Sequence, residues 1–174
     1  MIDEQCSVDR AWPRSDLVTH PPILESRSIT WTTESDCAAF AESLARHDAV
    51  SNAFIALEGP LGAGKTTFAR HLLRSLGATG RIKSPTYALL EPYDLPRLKA
   101  AHLDFYLFND PREWLDAGLR EVFAQPGLKL AEWPDKAASL LPVPDLRLQI
   151  TPHDDGRRDV AVHANTPRGV ELLA

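Results

Sequence analysis

Eight consecutive residues, Gly59-Pro60-Leu61-Gly62-Ala63-Gly64-Lys65-Thr66, follow the spacing G-x-x-x-x-G-K-[ST] in full. No other stretch constrains the fold as strongly. Before it lies Ala53 to Leu57, reading AFIAL, an apolar run suited to a buried central strand. After it, Phe68, Leu72, Leu73 and Leu76 recur on one helical face. Strand, glycine loop and helix in that order make a cradle for phosphate. The loop turns its N–H groups toward a dense anion, and glycines at positions 62 and 64 permit the backbone angles this needs. The helix start adds its positive dipole end. In such a loop Lys65 reaches the β- and γ-phosphates, and the Thr66 hydroxyl ligates Mg²⁺. At ordinary glycine frequency a chain of this length matches the pattern by chance on the order of 0.01 times. The expected ligands are ATP and Mg²⁺, with Gly59, Leu61, Gly62, Ala63, Gly64, Lys65, Thr66 and Thr67 as the binding residues.

The rest of the chain alternates strand and helix patterns, which predicts an α/β, P-loop NTPase-like three-layer fold with a mostly parallel central sheet. Residues 1–27 mix charge with Pro13, Pro21 and Pro22 and show no periodicity, so they read as a flexible leader before a single domain at 28–174. A short strand is expected at Ile29 to Trp31, then a helix capped by Thr33 with Asp36 in its first turn. Gly77 marks a helix stop. Tyr87 to Tyr93, Ala101 to Tyr106 and Leu128 to Ala131 read as strands. Asp110, Pro111 and Glu113 have the capping-box pattern of a short helix. Leu146 to Ile150 and Asp159 to Val162 alternate as a C-terminal antiparallel pair, turning at Asp154, Asp155 and Gly156.

Composition narrows the function class. A formal net charge of −5 argues against a domain that grips nucleic acid by itself. Cys6 and Cys37 are far apart, so neither a disulfide framework nor a cysteine zinc site is expected, and Cys37 falls on an apolar helix face. No stretch approaches the ~20 apolar residues of a membrane span. Asp3, Glu4, Asp9 and Asp16 precede any apolar run, unlike a signal peptide, and the cytoplasm is the expected compartment.

A magnesium-nucleotide site also needs an acid at the end of a neighbouring strand. Asp104 in AHLDF and Glu132 in LKLAE both qualify, although strand ends also carry acids simply because they are solvated there. The guanine-specifying N-K-x-D is absent. Arg157 and Arg158 form the only clear arginine pair in the second half, and a charged turn accounts for them. No arginine finger is evident, so slow turnover is expected from the chain alone.

Downstream of the loop, Ser84-Pro85-Thr86-Tyr87, Glu91-Pro92-Tyr93, His102-Leu103-Asp104-Phe105-Tyr106, Asp110-Pro111 with Gly118-Leu119, and Glu132-Trp133-Pro134 follow in order. This series resembles the TsaE (YjeE) family, bacterial ATPases of tRNA threonylcarbamoyladenosine formation. The resemblance runs from about Ile29 to about Arg158. It implies ATP hydrolysis in support of the TsaB–TsaD pair, with tRNA engaged only through that complex. It implies Thr66 and Glu132 as Mg²⁺ ligands and Asp104 beside the γ-phosphate, so Lys65, Asp104 and Glu132 become the candidate catalytic set. It further implies a switch-like role for Ser84, Pro85 and Thr86, a place for Trp133 next to the site, and approaches to the nucleotide by Thr33 and Arg157. Two positions depart from the family pattern. Pro60 stands where Asp or Glu is usual, and Leu107 replaces an arginine.

Read from the residues alone, Trp133 is a core aromatic. His102 is a packed or hydrogen-bonded strand residue, since no second His lies at ligand spacing. Tyr87, Tyr93 and Tyr106 read as strand packing residues, and Trp114 as the anchor of the short helix. Two other functions use the same loop: a small-molecule kinase, and a non-catalytic ATP-dependent switch.

Overall fold

A computed structural model describes residues 21–174. Residues 1–20 of the expected leader lie outside the described residues. Seven strands form one sheet in the order β1-β7-β6-β2-β5-β4-β3. In chain order these are β1 (Glu25–Trp31), β2 (Phe54–Glu58), β3 (Leu90–Asp94), β4 (Lys99–Asp104), β5 (Leu128–Glu132), β6 (Leu146–Pro152) and β7 (Arg158–Ala164). The helices are α1 (Glu34–Ala45), α2 (Lys65–Ser75), α3 (Pro111–Asp116), α4 (Leu119–Ala124) and α5 (Pro167–Leu172).

The four central strands β6, β2, β5 and β4 run parallel, while β1, β7 and β3 pair antiparallel at the flanks. The sheet is therefore mixed, with the parallel part confined to its centre and the expected C-terminal antiparallel pair present as β6–β7. Successive residues of β2 serve opposite layers, as strand geometry requires. Ile55 and Leu57 face a core shared with α1 and α2, and Phe54 and Ala56 face one shared with α3 and α4. On the first face Trp31, Phe40 and Phe68 pack with ring centroids 6.0–6.2 Å apart. On the second, Trp114 stacks between Phe105 at 6.4 Å and Phe123 at 5.5 Å, so it does anchor its short helix to the sheet. Each such aromatic pair adds about 0.5–1.5 kcal/mol beyond the area it buries.

Local signals set the helix starts. Asp36 accepts from the Thr33 N–H at 2.8 Å, so the expected N-cap residue and its first-turn acid form a capping box on α1. Asp110 accepts from the Arg112 N–H at 2.9 Å while Glu113 accepts from the Asp110 N–H at 3.0 Å, which caps α3. Cys37 is a buried thiol on α1, and burial pushes its pKa up to about 12.

Several expected boundaries move. Strand β1 opens at Glu25, so the last residues assigned to the leader pair with β7. Tyr87 is not a strand residue: it lies in a turn and is 96% exposed, because β3 begins only at Leu90. Strand β4 ends at Asp104, which leaves Tyr106 in the following turn. Tyr93 is half-buried against the α1–α2 core. Among the described residues no helix is long and apolar enough to cross a membrane.

Candidate functional site

Because β2, β4 and β5 run parallel, their C-terminal ends meet at one edge of the sheet, where open α/β sheets hold ligands. The glycine loop leaves β2 there and enters α2. Leu57 of β2 pairs with Glu132 of β5, and Glu132 pairs with Asp104 of β4. The two acids that end neighbouring strands in the sequence are thus adjacent across the sheet, beside the loop. Leu61 to Thr67, Ser84, Thr86, Asp104, Tyr106, Glu132, Trp133 and Arg158 line a cleft of about 280 Å³.

Lys65 is only 4% exposed. Its Nζ donates to the carbonyls of Gly59 at 2.6 Å and Pro60 at 2.8 Å, and lies 4.0 Å from the Trp133 ring centroid. Burial lowers its pKa, and the charges of Glu132 and Asp104 work in the opposite direction. The Thr66 hydroxyl donates to both carboxylate oxygens of Glu132, at 2.8 and 3.0 Å. His102 Nε2 meets Glu132 Oε1 at 2.9 Å.

Asp104 organises the other wall. Its Oδ2 accepts from the Ser84 and Thr86 hydroxyls, the latter at 2.8 Å, and its Oδ1 accepts from the Tyr106 N–H at 2.9 Å. The Ser84–Thr86 segment then closes a turn through Leu89, whose N–H donates to the Pro85 carbonyl at 2.7 Å with φ +64°. Trp133, at φ +55°, is the other non-glycine residue in left-handed backbone among the described residues. Strained conformations of this kind concentrate at functional sites. Trp133 lines this cleft, and Leu89 closes the turn that carries its Ser84 and Thr86.

A family model described as "Threonylcarbamoyl adenosine biosynthesis protein TsaE" matches residues 31–160. The chain belongs to the TsaE family. A Haemophilus influenzae protein named tRNA threonylcarbamoyladenosine biosynthesis protein TsaE is 36% identical over 135 residues, covering 78% of this chain and 85% of that one. A Bacillus subtilis protein of the same name is 36% identical over 110 residues, covering 63% and 68%. The crystal structure of Bacillus subtilis YdiB superposes with a TM-score of 0.71 at 26% identity, over 86% of this chain and 92% of that one.

Within this TsaE chain the positions read from sequence do not all converge. Leu61, Gly62, Ala63, Gly64, Lys65, Thr66, Thr67, Ser84, Thr86, Asp104, Glu132 and Trp133 line the cleft. Gly59 contributes its carbonyl to Lys65. Thr33 lines a smaller recess of about 80 Å³ with Trp31, Glu34 and Cys37, which shares Gly64, Thr67 and Arg158 with the cleft. Arg157 lines neither, and its guanidinium lies 3.8 Å from Asp155 in the hairpin turn. The arginine in the site is Arg158, whose Nε donates to the Ala63 carbonyl at 2.8 Å. A charged turn explains Arg157 but not its neighbour. Arg157 belongs to the turn and Arg158 is the first residue of β7, a boundary finer than sequence patterns resolve.

Tyr106 is a further wall residue that sequence reasoning placed in packing; its ring is 5.1 Å from that of Trp133. Trp133 itself is half-buried: it packs against the α3–α4 core and also lines the cleft. The backbone of the loop is tightly confined. A Cβ on Gly59 would come 2.5 Å from the Ile150 carbonyl oxygen, and one on Gly64, at φ +112°, would meet Arg158 Nε at 3.3 Å.

The donor set suits magnesium held jointly with phosphate. No group of three or more His, Cys, Asp or Glu able to hold a metal is present among the described residues. One hydroxyl and one carboxylate converge instead, which matches the one or two protein ligands that Mg²⁺ takes when phosphates and waters complete its shell.

Proposed function

We propose that this chain binds ATP with Mg²⁺ in the loop cleft and hydrolyses it in support of the TsaB–TsaD pair that forms threonylcarbamoyladenosine on tRNA. The observation that carries this reading is the contact of the Thr66 hydroxyl with both Glu132 oxygens, between the loop and the end of the adjacent strand. Family membership supports the pathway. The cytoplasm is the compartment this role implies.

Lys65 and the loop amides would neutralise phosphate charge, and Thr66 and Glu132 would hold the metal. When bound, Mg²⁺ would supply charge neutralisation between phosphate oxygens. Asp104, already an acceptor of three hydrogen bonds, would orient a water or the metal's hydration shell. Through Ser84 and Thr86 it would also tie the state of the site to the 84–89 turn. Thr33 and its recess would approach the nucleoside end, with Arg158 in the place given to Arg157 by sequence. Catalysis of this kind is positioning and electrostatics without a covalent intermediate.

Arg158 is committed to two carbonyls, those of Ala63 and Gly156, and the cleft is open. Slow turnover by the chain alone is therefore expected, with TsaB and TsaD completing the site. Leu61, 77% exposed at the cleft mouth, and Tyr106 supply apolar surface for such a cover.

Phosphate release from Mg·ATP, measured with the chain alone and with TsaB and TsaD added, tests this reading. A slow basal rate that rises sharply with both partners supports it. Clear ATP binding with no response to the partners would sink it, and acceptor hydroxyls would then be screened for kinase activity.

A further inference from the structure

We infer that His102 is a positioning residue that fixes the magnesium carboxylate Glu132 from beneath. This rests on the metal reading above. His102 lies on β4 two residues before Asp104, so the two side chains share a sheet face. It pairs with Leu130, two residues before Glu132 on β5. Strand geometry thus sets the imidazole one step below the two acids, and it is fully buried there.

Its Nε2 lies 2.9 Å from Glu132 Oε1, and its Nδ1 is buried without a hydrogen-bond partner. A carboxylate accepts, so Nε2 carries the proton, and the one polar partner of the ring is Glu132. A buried ring left half-satisfied is a poor structural device, since an orphaned polar atom costs about 1–3 kcal/mol. A leucine would fill the position without that cost.

The gain lies in orientation. Glu132 Oε1 is gripped by both His102 and Thr66, whereas Oε2 has Thr66 alone. The carboxylate cannot rotate about its terminal bond without breaking the His102 contact, and Oε2 remains the oxygen with fewer partners on a residue that lines the cleft. Partners that hold a ligating carboxylate in this way typically change metal affinity by about 10–100-fold.

The test measures binding of a fluorescent ATP analogue to the full chain as MgCl₂ is raised from an EDTA baseline. Four proteins are compared: wild type, His102→Leu, His102→Asn and His102→Gln. Leucine removes the donor, asparagine is too short to reach Glu132, and glutamine places an amide N–H near the Nε2 position. Both His102→Leu and His102→Asn are expected to bind the metal-free nucleotide like wild type but to need at least about tenfold more Mg²⁺ for half-saturation. His102→Gln should recover most of the wild-type dependence. If leucine does not fold, asparagine decides. Loss of thermal stability with unchanged Mg²⁺ dependence in the folded variants would overturn the inference while leaving the metal reading intact. A wild-type chain whose nucleotide binding ignores Mg²⁺ would overturn both.

Discussion

Lys65 Nζ sits 4.0 Å from the centre of the Trp133 ring while donating to the Gly59 and Pro60 carbonyls. A phosphate bound in the loop competes with all three contacts for the same ammonium. Adding ATP should therefore change tryptophan emission, and Trp133→Phe should remove most of the change. An emission change of full size in Trp133→Phe would assign the signal to another tryptophan, such as Trp31 in the adjoining recess, and leave the Lys65 contact without a part in it.

Lys65→Ala deletes a charge-assisted contact worth about 1.5–3 kcal/mol. ATP affinity should fall at least about tenfold in a direct titration with a fluorescent analogue. Unchanged affinity would place the phosphate elsewhere.

Asp104→Ala separates binding from chemistry. The variant should bind ATP almost as wild type does but lose hydrolysis, measured with the partner proteins, by at least about a hundredfold. It also releases the Ser84 and Thr86 hydroxyls, so amides of residues 84–89 should exchange hydrogen faster than in wild type. A variant that hydrolyses normally would assign Asp104 to structure alone.

The sequence carried the loop, the two acids and the caps because each is encoded over a few adjacent residues. Thr33 with Asp36, and Asp110 with Glu113, are of this kind, and both boxes form where the spacing puts them. What stayed hidden depends on register between distant strands. Arg158 enters the cleft because β7 pairs with β1 and β6, and no local pattern distinguishes it from Arg157. Tyr87 looked like a strand residue because aromatic and β-branched residues favour strands, whereas the Asp104 hydrogen bonds hold its neighbours in a turn. His102 is the packed, hydrogen-bonded strand residue the sequence suggests, but its partner Glu132 is thirty residues away and no local pattern names it.

Gly59→Ala should destabilise the fold as well as the loop. Its Cβ would meet the Ile150 carbonyl of β6 at 2.5 Å, on a backbone with φ +140°. A loss of about 1–3 kcal/mol is expected in a denaturant titration. An unaltered midpoint would mean the loop shifts freely away from β6.

His163 makes stability depend on pH. Burial first, and the nearby Arg147 charge second, hold its pKa below the ordinary 6.5, and Ser26 Oγ lies 2.9 Å from its Nδ1. The unfolded chain therefore takes up the proton more readily than the folded one. The contribution of His163 is whole above the unfolded value and is lost as pH falls through it toward the folded one. Denaturant midpoints at about pH 7.5 and about pH 5.5 should differ less in His163→Gln than in wild type. Equal differences would assign the acid sensitivity to other groups.

Arg158 is the register partner of Trp31, and its side chain reaches the Ala63 carbonyl on the glycine loop. The first strand and the last hairpin thus meet at the loop's outer wall, although more than ninety residues separate Ala63 from Arg158 along the chain. A nascent chain that has delivered the loop, and even both acids, from the ribosome still lacks this wall. The cradle takes its final shape only when synthesis has passed the closing hairpin, so products cut short before Arg158 would carry the whole glycine motif and an unfinished site.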